Sequence, residues 1–257
     1  MKNFWLIYFL LNISSNLIYA NNANFIALSN QRMRNQELEI VANNVANANT
    51  IGYESDGLLS KNYDFKVSHK IQDSFAISRG TYFRKNQGAL KITNRDLDLA
   101  INGEGYFKLM TPHGLRYSLN GNMIINKNGM LINSIGAAFL SRDGEPIVLP
   151  LETSEVFINE NGTIFADKEE VATIGIFAFA GKYSLRKEGE YLLVADSDSI
   201  EATDYSIIQG ALRGSNIDQT RALSDMVDLQ RSVEMTNGII TTIGEMEKSA
   251  IQRIGKQ

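Results

Sequence analysis

Gln36–Tyr53, QELEIVANNVANANTIGY, is the stretch on which the fold turns. Leu38, Val41, Val45 and Ala48 recur at three- and four-residue spacing, which predicts a helix, and the polar Asn-Thr-Ile-Gly beyond them predicts its end. The helical pattern reaches back to Asn24, since no Pro or Gly interrupts it and Ile26, Met33 and Ile40 recur every seven residues. Its last part is unusual. Asn43, Asn44, Asn47 and Asn49 crowd it, although Asn amides compete for local backbone bonds and disfavour helix interiors. One reading makes them caps of a fraying end. The other makes them an interface, where small Ala residues allow close approach and Asn amides bond a neighbouring backbone.

The opposite end of the chain answers this helix with a longer one. From Asn216 to Ile254, the positions Ala222, Met226, Leu229, Val233, Thr236, Ile240, Ile243, Glu247, Ala250 and Ile254 follow alternating four-three spacing, the signature of a coiled-coil seam. Leu223, Val227, Met235, Ile239 and Met246 form a second apolar stripe on another side, which a lone two-helix hairpin leaves uncovered. Gly238 and Gly244 each weaken the isolated helix by about 1 kcal/mol relative to Ala.

Between the helices the sequence reads as β-structure. Short apolar runs alternate with turn dipeptides at Asn102-Gly103, Asn120-Gly121, Asn128-Gly129, Asp143-Gly144 and Asn161-Gly162, a strong hairpin signal. Leu97, Leu99 and Ile101 alternate with Asp96, Asp98 and Ala100 as a half-buried strand would. Val171–Ala180, apolar on both faces, predicts a buried strand, with Tyr191–Ala195 pairing nearby. Lys61–Ser78 reads as a polar surface segment. The expected fold class is α+β: long amino- and carboxy-terminal helices packed as a coiled-coil core domain, with a central all-β domain of sandwich or open barrel-like form. The expected domains are an extension over 1–22, a helical assembly core from 23–53 with 215–257, a connecting segment over 54–79 and a β domain over 80–214.

Composition narrows the function. The 257 residues are 44% hydrophobic and 21% charged with net charge −4, ordinary globular material with no basic footprint for nucleic acid. Cysteine is absent and histidine occurs twice, which removes thiolate chemistry and multi-histidine metal sites. Asp96 and Asp98 could face one side of a strand as an acid-base or cation pair, but the solvent face of an edge strand is the plainer reading. Asn126–Gly129 lacks the downstream Glu of a calcium loop, and no nucleophile elbow, phosphate loop or zinc motif is present. Expected are no enzyme activity, cofactor, metal, nucleic acid or small-molecule substrate. Met1–Ala20 carries Lys2, an apolar run over Phe4–Leu11 and Ala20 before Asn21. It reads as a secretory signal, as a start codon placed too far upstream, or as a retained hydrophobic anchor.

Ile40–Tyr53, IVANNVANANTIGY, resembles the amino-terminal signature of the flagellar rod, hook and hook-associated axial proteins, an ANN-A-N-x-T-G-aromatic pattern. Leu97–Phe107, His113–Gly121 and Asn128–Asn133 are similar to that family's β-domain signature, and Gly80–Ile101 is similar to the proximal rod branch. Departures are Glu54 where a basic residue is common, Asn94-Arg95-Asp96 in place of Gly-Asn-Pro, and Ser118-Leu119-Asn120 in place of Thr-Arg-Asn. The resemblance implies an exported structural subunit of the basal-body rod, reaching its place through the flagellar type III channel. It would polymerise through its terminal helices with copies of itself and with other rod and hook-family subunits. Assembly contacts are expected at Leu38, Val41, Asn43, Asn44, Val45, Asn47, Asn49 and Gly52, and at Met226, Leu229, Val233, Ile240 and Ile243. A distal rod or hook-type subunit is the alternative within the family. A secreted β-sandwich adhesin with a coiled-coil stalk is the alternative outside it.

Overall fold

A computed structural model describes residues 25–68, 71–83, 86–179, 185–189 and 191–254. The three readings of the first residues therefore lie outside the described chain. Among the described residues two compact units emerge: those of 25–43, 56–81 and 220–254 form one, and those of 44–55 and 82–219 form the other.

Within the first unit, helix α1 (residues 25–46, its last turn belonging to the second unit) precedes a two-stranded hairpin of β1 (Asp56–Ser68) and β2 (Ile71–Phe83). The described part of the segment read as polar surface chain, 61–68 and 71–78, thus lies within paired strands. Helix α2 (Gln219–Ile254) spans 36 residues, or roughly 54 Å. The Gln31 amide donates to the Asn237 side-chain carbonyl between the two helices.

The coiled-coil core of two long terminal helices is not what the chain forms. One helix is short and one long, strands in several sheets make up most of the rest, and no described residue of α2 is buried. Heptad spacing states which side of a helix is apolar, not that a partner of equal length covers it. The predicted seam residues Met226, Leu229, Val233, Ile240 and Ile243 are only half-buried, and Leu223, Val227, Met235, Ile239 and Met246 are exposed. Among the described residues, the buried side chains lie almost wholly in the β unit.

In that unit the strands follow in chain order: β3 (Leu90–Ile92), β4 (Asp98–Gly103), β5 (Tyr106–Thr111), β6 (Gly114–Ser118), β7 (Gly121–Asn122), β8 (Ile124–Ile125), β9 (Leu131–Ile132) and β10 (Ala138–Phe139). They continue as β11 (Val156–Ile158), β12 (Thr163–Ala166), β13 (Glu169–Thr173), β14 (Ile176–Ala178), β15 (Leu185–Glu188), β16 (Leu192–Ala195), β17 (Ile200–Glu201), β18 (Tyr205–Gln209) and β19 (Ala211–Arg213). The largest sheet runs β15-β16-β6-β5-β10-β9-β8, with β14 joining β5 to β17. Smaller sheets are β11-β12-β13, β18-β4-β7 and β19-β3. Alternation sends Phe107 and Leu109 of β5 inward, where Phe139 meets Phe107 edge-on and Ile158, Ile164, Ile174 and Ile176 complete one shared core.

Two strands differ from their sequence reading. Asp98–Ile101 is buried on both faces of β4, which is the central strand between β18 and β7, so the alternation of Leu and Asp did not mark an exposed side. Asp96 sits in the preceding turn, while the buried Asp98 carboxylate accepts from the Asn122 amide at 2.7 Å. Val171–Ala180 divides at Ile174-Gly175 into β13 and β14, which belong to different sheets.

Candidate assembly site

The asparagine-rich stretch and its turn are held by short-range bonds before anything else touches them. Asn47 N–H donates to Asn44 O at 3.2 Å, and the Thr50 hydroxyl donates to Asn47 Oδ1 at 3.0 Å. Asn44 is buried, and its Oδ1 accepts from the Tyr53 hydroxyl at 3.4 Å. Asn43 and Asn49 are exposed, whereas Leu38, Val41, Val45 and Asn47 are half-buried. Gly52 is buried with φ of 70°, and a Cβ there would stand 2.5 Å from Asn120 N. Only glycine fits both its backbone angle and its space.

Gly52 begins a clasp in which three separated segments meet. Gly52 N–H donates to Arg213 O at 2.8 Å, Asn216 N–H to Tyr53 O at 3.3 Å, and Ser55 N–H to Asn216 Oδ1 at 2.7 Å. The Asn216 amide reaches Asn86 O at 2.9 Å, and Gly214 N–H reaches Ala89 O at 2.8 Å. Thus segments 52–55, 86–89 and 213–216 are tied by backbone and Asn side-chain bonds. The ammonium of Lys187 on β15 lies 3.9 Å from the Tyr53 ring centroid and covers it as a cation–π partner.

Arg213 lies at the centre of this clasp, 5% exposed. Its guanidinium donates to Ile101 O and, at 3.3 Å, to Gln87 Oε1. Burial holds its pKa below the ordinary arginine value, and the charge of Glu54 opposes that shift. Glu54 also accepts from the Tyr106 hydroxyl at 2.9 Å. Burial first, then the Glu54 charge, pushes the Tyr106 phenol well above its usual range. A cavity of about 20 Å³, lined by Tyr53, Glu54, Gln87, Arg213 and Asn216 among others, adjoins the group. Such a volume is on the order of one water.

The sequence reading singled out Gly52 and the asparagines, and it noted Glu54 only as a departure from the family pattern. It missed Arg213 and Tyr106. No local signal marks them, because the groups that enclose Arg213 come from residues 54, 87 and 101. Of the predicted contact residues, the structure brings Asn44, Asn47 and Gly52 together in the clasp and its turn. Met226, Leu229, Val233, Ile240 and Ile243 line one side of α2. Among the described residues, no group of three or more His, Asp or Glu is placed to hold a metal, and no helix is long and apolar enough to cross a membrane.

Three family models match stretches of the sequence along the chain. They are the flagella basal body rod protein over residues 26–53, the flagellar hook protein FlgE/F/G D1 domain over 100–166 and the flagellar basal body rod FlgEFG protein C-terminal over 208–253. The chain is 30% identical to the flagellar basal-body rod protein FlgF of Caulobacter vibrioides over 242 residues, covering 92% of this chain and 99% of that protein. It is 29% identical to FlgF of Mesorhizobium japonicum, covering 91% and 98%. It is 27% identical to the rod protein FlgG of Bacillus subtilis, covering 86% and 95%. The chain belongs to the flagellar basal-body rod family. Within that family it is similar to FlgF-type rod proteins.

Proposed function

We propose that this protein is a structural subunit of the bacterial flagellar rod, located in the basal body and built to assemble rather than to catalyse. The observation that carries this reading is the end-to-end match to rod proteins, with family models falling in order on α1, the β unit and α2. That match also favours the rod over a secreted adhesin. Its partners are other rod and hook-family axial subunits and copies of itself, and it needs no cofactor.

The terminal helices are the assembly elements. An exposed row of Leu223, Val227, Met235, Ile239 and Met246 on α2 is apolar surface of the kind that neighbours cover. The half-buried Leu229, Val233, Ile240 and Ile243, with Leu38, Val41 and Val45 of α1, supply further contacts once subunits pack. Imaging basal bodies after deletion of the gene tests the role: rods truncated beyond the membrane ring are expected, and full-length rods would refute it. Val233→Asp should keep the protein out of purified basal bodies while the β unit retains its circular dichroism. Labelling its position along those basal bodies separates a proximal from a distal placement.

A further inference from the structure

The β unit carries two different apolar rows on outward faces. Leu115, Met110, Ala138, Ile132 and Ile124 stand directly opposite one another across β6, β5, β10, β9 and β8. Direct opposition places all five on one face of the sheet. It is the outer face, because Phe107 and Leu109, which alternate with Lys108 and Met110 along β5, point into the core. At about 4.8 Å per strand the row runs ~19 Å. Leu115, Met110 and Ile124 are 41%, 42% and 42% exposed, with Ile132 half-buried and the small Ala138 buried between them. Lys108 shares their face, its ammonium 4.4 Å from the Phe177 ring centroid, and the exposed Lys127 follows β8.

The second row crosses the β11-β12-β13 sheet, where Phe157, Phe165 and Glu170 oppose one another. Ile158 and Ile164 are buried in the same core that holds Phe107, so this row also faces outward, from a different sheet. Phe157 is 55% exposed, and its ring centroid lies 6.1 Å from that of Phe165. The surrounding stretch 152–170 carries Glu152, Glu155, Glu160, Asp167, Glu169 and Glu170 against Lys168 alone. One row is apolar with cations beside it, and the other is aromatic with carboxylates beside it.

We propose that these rows are the two halves of a head-to-tail contact between copies of this chain, the lysine-flanked row of one copy seating on the carboxylate-flanked aromatic pair of the next. The proposal rests on the assembly reading above and specifies where β units meet. Two unlike surfaces make a heterologous contact, which does not close into a two-fold dimer and propagates along an array. Each row is far smaller than the roughly 800 Å² per partner of a stable protein–protein interface. The contact is therefore weak alone and forms where the terminal helices already hold copies together, as in multivalent binding.

The absence of cysteine permits a direct test. Full-length Met110→Cys and Phe157→Cys chains, distinguishably tagged and coexpressed in motile cells, are treated with a short bis-maleimide. Ile92→Cys, exposed on β3 and outside both rows, serves as control. The expected product is a mixed Met110→Cys to Phe157→Cys adduct at least fivefold above either chain with itself or with the control. Adding Lys108→Glu to the first chain should cut it at least fivefold, and Glu170→Lys in the second should restore it. Equal self-adducts, no adduct in basal bodies that contain both chains, failure of the charge swap, or capture of a different protein at these positions would each overturn the proposal. Absence of the unsubstituted chain from basal bodies would instead overturn the rod reading on which it rests.

Discussion

At the scale of single residues, Arg213, Glu54 and Tyr106 act as one group. A guanidinium 5% exposed needs a nearby negative charge, and Glu54 lies close enough to oppose its lowered pKa. The buried cation is therefore coupled to a carboxylate 159 positions away along the chain. Tyr106 gives this group a pH signature. Its folded pKa is raised above the ordinary value near 10, so its contribution to stability is complete below pH 10 and is lost as pH rises above it. Urea unfolding from about pH 8 to 11.5 should show stability falling by up to about 1.4 kcal/mol per pH unit above 10, and Tyr106→Phe should flatten part of that fall. Gly52→Ala combines a positive φ with a 2.5 Å clash against Asn120 N. It should lower the stability of the β unit by at least about 2 kcal/mol, measured by the same unfolding.

At the scale of elements, one turn is used repeatedly. Asn126, Asn133 and Asn159 each stand three residues before a glycine with φ between 79° and 84°. In each, the side-chain oxygen accepts from the N–H two and four residues on, and the backbone oxygen accepts from the glycine N–H. Asn159→Ala should therefore cost about 1–2 kcal/mol in β-unit stability, while Asn161→Ala, whose side chain makes no such pair of bonds, should stay within about 0.5 kcal/mol. The dipeptides Asn128-Gly129 and Asn161-Gly162 mark two of these three hairpins in the sequence and none marks the turn at Asn133, yet in all three the organising residue is the earlier Asn. The same dipeptide misleads at Asn102-Gly103 and Asn120-Gly121, because the strands flanking each do not pair with each other. A dipeptide states that the backbone can turn there. Which strands then pair is decided by long-range partners, such as β18 for β4 and β14 for β5, and no local pattern carries that information.

At the scale of the molecule, the sequence was legible where one short-range rule dominates. Helical ends, a β middle and the Gly52 turn all follow from spacing and residue type. The coiled-coil core is not formed, because apolar spacing along α2 marks one side of a helix and states neither the length nor the identity of what covers it. Arg213 was illegible for a related reason: its counter-charge and hydrogen-bond partners come from residues 54, 87 and 101, far away in sequence.

The pairing of β3 with β19, sealed by Gly214 N–H donating to Ala89 O, gives the β unit a further property. Everything from Leu90 to Arg213 is a detour that leaves and rejoins the main path at one spot. Length added to a detour does not move its junction. A short epitope tag inserted between Asp143 and Gly144, where an added Cβ at Gly144 would meet nothing within 4 Å, should therefore leave swimming unchanged in a soft-agar assay. In such a chain, ornament and mechanism can vary independently, with the junction as the part that must be kept.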